Sequence, residues 1–366
     1  CREDLPDCLC PSGEGCSSWW SCIAQRLAAY LDVWALYGDF LQYSRLALVV
    51  MSDIKSTVLV TGANGFVGKA VCEHLLSLGV NVKGAVRSHP LASYHINAPS
   101  LTADANWTTQ LQQVDVVIHC AARVHVMSDK EADPLTAFRA VNTIGTLNLA
   151  NQAADAGVKR FIFISSIKVN GEQTEPGKPF DEHVQNPPQD PYGRSKYDAE
   201  QGLMALAKKC GMAVTIIRPP LIYGKGVKAN FASMLKMVHT GFPLPFARLK
   251  NARSLLALPN LCDFIARAID HPATVNQIFL VADPVPVSTS EMLIAIADAE
   301  GVPSRLFYIP SILVRGIGRC FGIDAKLQRI YGSLEMDTGK AQRQLQWSAP
   351  YTFSQALSLM ASSKNE

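Results

Sequence analysis

The chain has 366 residues, 48% of them hydrophobic and 18% charged, with a formal net charge of +3. That composition describes a globular protein with a sizeable core and excludes a disordered or polybasic chain. The basic residues are scattered and give no reason to expect nucleic acid, and no run of about 18 uncharged apolar residues predicts a membrane span.

Five of the ten cysteines lie in the first 22 residues. The others (Cys72, Cys120, Cys210, Cys262 and Cys320) are isolated, as in a reduced cytoplasmic protein. Residues 1–50 read as a leader outside the core and not as a signal peptide, whose basic and apolar regions they lack. Met51-Ser-Asp-Ile-Lys then leads straight into the first strand, as a natural start would. A zinc site from Cys8, Cys10, Cys16 and Cys22 is the sharper alternative, but the spacing holds no Cys-x-x-Cys. No metal site is expected.

The next stretch, Val58-Leu59-Val60-Thr61-Gly62-Ala63-Asn64-Gly65-Phe66-Val67-Gly68, begins as a buried parallel strand. It breaks at Gly62 and continues as a helix from Phe66 to Leu78, closed by Gly79. Strand, glycine turn and helix N-terminus make a seat for a pyrophosphate, with Gly62, Asn64, Gly65, Phe66, Val67 and Gly68 lining it. The Gly-x-x-Gly-x-x-Gly spacing resembles the extended short-chain dehydrogenases, the nucleotide-sugar epimerase/dehydratase family. The resemblance implies an α/β fold: a doubly wound parallel Rossmann sheet over 51–223, and a smaller C-terminal substrate lobe over 224–366 that returns segments to the sheet.

The second strand, Asn81 to Val86, ends in Arg87 with no carboxylate nearby. An arginine there suits a 2′-phosphate, which favours NADP(H), with NAD(H) as the alternative. By resemblance Asp104 lies near the adenine amino group. Val114 to Cys120 is a third buried strand, and Ala121 and Ala122 let the backbone pass against the cofactor. Arg123 and His125 follow at the mouth of the site, as candidate substrate contacts. Pro134 to Ala156 reads as one long helix; in the family its Asn142 braces the helix against backbone near the active site.

Phe161 to Ser166 is an apolar strand ending in hydroxyls, and Pro191-Tyr192-Gly193-Arg194-Ser195-Lys196 opens a helix. Four residues apart, Tyr192 and Lys196 share a face. An ammonium beside the phenol is expected to lower the tyrosine pKa, while Ser166 bonds the reacting oxygen. Tyr192, Lys196 and Ser166 are therefore the candidate catalytic residues. Further on, by resemblance, Pro219 passes under the nicotinamide, Asn230 and Arg253 hold a sugar nucleotide's diphosphate, and Phe246 lies by the nucleobase. Gln277 to Val281 is a returning strand, and Leu306 to Phe321 an amphipathic helix. Family members pair as homodimers through the long helices, and Leu203, Leu206 and Ala207 are the residues expected at that interface.

The family's dehydratases carry an Asp-Glu pair just after the active-site hydroxyl; here those positions are Ile167 and Lys168, which argues against dehydration. Asn170 replaces a tyrosine common in the family. The resemblance is nearest to bacterial reductases of UDP-4-keto-6-deoxy-N-acetylhexosamines used for surface polysaccharide and lipopolysaccharide. A UDP-hexose 4-epimerase retaining NAD is the second reading, and an NADPH-binding regulator without turnover the third. A dehydrogenase of steroid-like alcohols fits less well, because such substrates have no diphosphate for Asn230 and Arg253.

Overall fold

The computed structural model describes residues 56–88, 90–124, 133–227, 229–309 and 330–362. Expectations for residues 1–50 and for His125 lie outside these residues, as does the side chain of Asn230.

Seven strands form one parallel sheet in the order β3-β2-β1-β4-β5-β6-β9. They are β1 Thr57–Thr61, β2 Asn81–Val86, β3 His95–Asn97, β4 Val116–His119, β5 Arg160–Ile164, β6 Ala213–Arg218 and β9 Gln277–Leu280. The order reverses between β1 and β4, which opens a crevice at the carboxyl ends of these two strands. Both faces of the sheet are covered, so its strands are continuous apolar runs, such as the wholly buried Arg-Phe-Ile-Phe-Ile of β5.

Helix α1 Phe66–Ser77 follows the glycine turn; Leu78 caps it and Gly79 takes φ 77°. The expected single helix over 134–156 is three pieces: α2 Pro134–Arg139, a π-helical segment Ala140–Gly145, and α3 Thr146–Asp155. Asn142 and Gly145 are buried within the π segment, where the wider turn brings Gly145 against the carbonyl of Leu101. Helix α4 Pro191–Cys210 is capped by Asp190 and ends at the left-handed Gly211.

Leu203 and Ala207 of α4 are buried in the main core with Phe161, Phe163, Val214 and Leu149, and Leu206 packs against the same cluster. Leu206 is only half-buried, while Leu203 and Ala207 therefore face the protomer's own sheet. The reason is the helical period itself: the face that carries them also carries Lys196 and Ala199, which the sheet needs.

Strands β7 Leu221–Tyr223 and β8 Leu255–Ala257 form a separate parallel pair. Around them lie α5 Ala229–His239, α7 Thr289–Ala299 and α9 Phe353–Ser362, while α6 Leu258–Ala268 runs from β8 to pack on α1 and α8 Gly339–Leu345 packs on β9. A second core gathers Tyr223, Phe231, Phe246, Leu293, Ile296, Phe353 and Leu357. β9 carries the chain back to pair with β6, as its apolar run predicts. Leu306 does not open a helix. It bridges Leu244 as extended chain, with Leu244 N–H donating to Arg305 O and Phe307 N–H to Leu244 O. The remainder of that expected helix, from 310 on, lies outside the described residues.

Candidate active site

The glycine turn has the shape a pyrophosphate seat requires. Gly62 takes φ 69°, and a Cβ there would meet the backbone of Ala121 at 3.0 Å. A Cβ on Gly68 would collide with the Gly62 carbonyl. The turn closes through Gly65 N–H donating to Gly62 O at 2.8 Å. The N-cap, Gly65, has no side chain to satisfy the first amides of α1, and no acid lies in that first turn. The amides and the positive helix end are thus available to an anion, and the residues present fit a dinucleotide's pyrophosphate. Asn64 is exposed at this turn, and Phe66 and Val67 are half-buried where α1 begins. Arg87 is exposed at the carboxyl end of β2, two strands' width from Ala121 and Ala122 after β4. Asp104 is exposed in the turn region between β3 and β4.

Below the turn a buried histidine ties the parts together. His119 ends β4, with Nδ1 2.8 Å from Thr61 Oγ1 and Nε2 3.0 Å from Thr146 Oγ1. Thr61 Oγ1 also accepts from Ala121 N–H. Burial, with Lys196 close by, pushes the His119 pKa down to about 3, so the ring is neutral.

The catalytic candidates come from the ends of β5 and the start of α4. The Ser166 hydroxyl lies close enough to Tyr192 to favour the charged form of its phenol. Gly193 makes this approach feasible, since a Cβ there would lie 2.6 Å from the Lys168 carbonyl. Asp190 caps α4 by accepting from Gly193 N–H at 2.8 Å, and Lys168 Nζ lies 3.4 Å from the same carboxylate and 3.0 Å from Glu172. Asn142 is joined to the same helix: its Nδ2 donates to Ser195 Oγ and to Arg123 O, both at 3.0 Å, and its Oδ1 accepts from Arg123 N–H. Thr143 Oγ1 adds a bond to Ser195 O. Asn142 thus braces the helix against the Arg123 backbone through three bonds, and Thr143 adds a fourth.

Lys196 is 2% exposed; its ammonium donates to Ile164 O at 2.8 Å and lies 4.4 Å over the Phe163 ring. Burial pulls its pKa down to about 8, against the charges of Cys120 and Glu200. The expected depression of the Tyr192 pKa is corrected here. Burial and the Asp190 carboxylate push the phenol up to about 12, opposed by the Ser166 hydrogen bond. The ammonium is engaged by β5 through Ile164 O and does not cancel that rise.

The substrate candidates are more dispersed. Arg123 stacks its guanidinium 5.6 Å from the Phe138 ring. Pro219 is buried and accepts from Ile167 N–H. Phe246 is a buried core side chain, edge-on to Tyr331. Arg253 donates to Gly332 O at 2.8 Å, and burial lowers its pKa.

Sequence reasoning missed Glu200, Arg218 and Ser165. Glu200 Oε2 accepts from Arg218 Nη2 at 2.6 Å, and Oε1 from Arg218 Nε at 3.0 Å and Ser165 Oγ at 2.5 Å. The signal was present: Lys196, Glu200, Leu203 and Ala207 share one helix face, so a buried Glu200 needs a cation, and Arg218 ends an apolar strand.

Comparison with known proteins gives a consistent family. Residues 58–282 match the model of the NAD dependent epimerase/dehydratase family. A UDP-glucose 4-epimerase of Vibrio cholerae is 46% identical over 301 residues, covering 81% of this chain and 92% of that protein. In fold, the chain is similar to the UDP-N-acetylglucosamine 4-epimerase of Bacillus cereus (TM-score 0.70, 21% identity, 85% of this chain and 100% of that one). It is also similar in fold to the Bordetella bronchiseptica enzyme WbmG in complex with NAD (TM-score 0.65, 18% identity, 86% and 95% of the two chains).

Proposed function

The chain belongs to the NAD dependent epimerase/dehydratase family, and from that premise we propose that it interconverts the C4 epimers of a UDP-linked hexose or N-acetylhexosamine. One observation carries this reading over the others: the 46% identity to a UDP-glucose 4-epimerase extends over 92% of that protein. The weight thus shifts from the 4-keto reductase first expected from sequence to its alternative.

The cofactor is a nicotinamide dinucleotide, for which the glycine turn Gly62 to Gly68, Arg87, Asp104, Ala121, Ala122 and Pro219 are the holding residues. When bound, it supplies a hydride acceptor and donor for the sugar C4. The protein's own side chains handle the proton and the orientation. Tyr192 exchanges a proton with the C4 oxygen, and Ser166, beside Tyr192, orients that oxygen. Lys196, one helical turn on, supplies the positive charge that a departing phenol proton requires. Asn142 fixes the helix that presents both. Ile167 and Lys168 provide no second carboxylic acid pair, so a dehydration is unsupported. Arg123, His125, Asn230, Phe246 and Arg253 are retained as substrate candidates; for Phe246 the contribution is to shape the lobe and not to stack.

A second reading, reduction of a nucleotide-linked 4-keto sugar with NADPH, keeps two observations in its favour. Arg87 is exposed at the β2 tip with no carboxylate beside it, and Tyr192 holds its proton, the state that donates to a ketone oxygen. Incubating the purified protein with UDP-glucose, UDP-galactose and their N-acetyl counterparts, without added coenzyme, separates the two. C4 epimers should accumulate to equilibrium. A protein that leaves all four unchanged and oxidises NADPH with a 4-keto sugar overturns the first reading for the second.

A further inference from the structure

The most heavily connected charged groups in the described residues lie behind the reacting side chains. Glu200 is 0% and Arg218 1% exposed, and they meet fork to fork. All three nitrogens of Arg218 are engaged: Nε and Nη2 go to Glu200, while Nη1 donates to Asn170 Oδ1 and to Glu182 O, both at 3.0 Å. Asn170 then donates its own amide to Asp181 O at 2.7 Å and His183 O at 3.2 Å. One planar cation thus gathers α4, the end of β6 and both ends of the 170–183 loop.

The other side of the pair sets the helix against the strand. Lys196 Nζ bonds Ile164 O, and one turn later Glu200 Oε1 accepts from Ser165 Oγ. Consecutive residues of the β5 end are pinned by consecutive turns of α4, and Ser166 comes next in the chain. The 170–183 loop in turn bonds the substrate lobe: Thr174 N–H donates to Ser333 O, Phe180 N–H to Glu335 O and Asp337 N–H to Phe180 O. Gly332, beside these, accepts from Arg253. Hydrogen bonds joined by short stretches of chain therefore connect Lys196 to the segment that holds Arg253.

A buried ion pair is weak evidence for stability, because apolar side chains of similar volume often serve as well or better. What the pair supplies that apolar groups cannot is direction, through five hydrogen bonds of fixed geometry. We propose that Glu200, Arg218 and Asn170 are positioning residues: they lock Ser166 and the helix bearing Tyr192 and Lys196 into register with the loop that adjoins the sugar-nucleotide lobe. This rests on the catalytic roles assigned above, and it extends them to residues that touch neither substrate nor cofactor. Asn170 gains a purpose at the position where the family commonly has tyrosine: its amide both accepts from Arg218 and donates to the loop.

The test compares the full chain with Glu200→Gln, Arg218→Met, the double Glu200→Gln/Arg218→Met, and Asn170→Ala. Each single change in the pair leaves one buried charge without its partner and is expected to melt early. The double change removes both charges and is expected to keep the wild-type melting temperature. It should nevertheless lose about 10- to 100-fold in kcat, the scale of a small misplacement of reacting groups, with KM for the UDP-sugar unchanged. Amide hydrogen exchange of the unliganded chain gives a readout independent of turnover. Exchange over 170–183 and 333–337 should accelerate in the double variant and in Asn170→Ala, while 57–77 stays as in wild type.

Wild-type kcat together with wild-type exchange in the double variant overturns the proposal. Should the double variant fail to fold, Asn170→Ala decides, since it leaves the pair intact: unchanged exchange over 170–183 and unchanged kcat overturn it. A wild-type protein that turns over no UDP-hexose contradicts the functional reading, and the exchange experiment then judges the positioning role alone.

Discussion

Around the carboxyl ends of β5 and β6 the protein buries Ser165, Lys196, Glu200 and Arg218, each in hydrogen bonds to a neighbouring element. The second lobe instead buries rings: Tyr223 stacks on Phe231 at 5.2 Å and meets Phe353 edge-on, with Phe246 edge-on to Tyr331 nearby. Its buried polar contacts include Asp283, which accepts from Tyr223 Oη, Asn260 Nδ2 and Ala257 N–H and ties β7, β8 and α6 together. The catalytic region thus uses directional bonds to fix angles and charges, and the lobe uses area to hold a shape. Damage to the first should appear in turnover and damage to the second in stability.

Tyr192→Phe makes that contrast sharpest. The ring and its edge-on contact with Phe138 survive, so the melting temperature should hold. Turnover should fall by about 10²–10⁴, the usual contribution of a placed acid or base. Near-normal steady-state turnover would remove Tyr192 from the proton role. In the lobe, Phe231→Ala should do the reverse, costing about 3–5 kcal/mol of stability for a fully buried ring. Denaturant unfolding would register this, and a midpoint within error of wild type would show that the lobe tolerates a cavity.

Arg87→Asp probes the rim and not the interior. A charge-assisted contact with a 2′-phosphate is worth about 1.5–3 kcal/mol, so the variant should swing coenzyme preference toward NAD by that much. Titration with both coenzymes measures it; a wild type already favouring NAD(H) would leave Arg87 without that role.

A further effect concerns pH. His119 has its pKa pushed down to about 3 from an ordinary 6.5, so the unfolded chain binds a proton that the folded one refuses. Its contribution is therefore complete above about pH 6.5 and falls by about 1.4 kcal/mol per unit as the pH drops toward 3. The advantage of wild type over His119→Gln in melting temperature should shrink between pH 7 and pH 5. A constant difference would mean that the imidazole gains its proton in the folded state as easily as in the unfolded one.

The sequence made the sheet and the glycine turn legible because buried parallel strands are unbroken apolar runs and the turn needs glycine for steric reasons. Asn81 to Val86 is observed with the limits its pattern predicts. The Tyr192 and Lys196 spacing was equally clear, since one helix carries both. The π segment was not legible, because Ala-Val-Asn-Thr-Ile-Gly has an ordinary helical composition and the wider turn depends on Leu101 and Ser195. Leu203 and Ala207 were misplaced because an apolar stripe does not say which neighbour it packs on. Phe246 was drawn toward the nucleobase by resemblance, whereas tertiary packing puts its ring inside the lobe core. Glu200 and Arg218 escaped because they lie far apart in sequence and signal only in combination.

The central claim is that hydrogen leaves C4 of the sugar and returns to it within one site, with Tyr192 handling the proton. UDP-glucose deuterated at C4 tests this most directly, incubated with the purified protein and no added coenzyme, with the products examined by NMR and mass spectrometry. The account predicts UDP-galactose that keeps its deuterium at C4, formed by wild type and suppressed in Tyr192→Phe. Product that has exchanged its C4 deuterium for solvent hydrogen, or no epimer at all until NADPH and a 4-keto sugar are supplied, would contradict it.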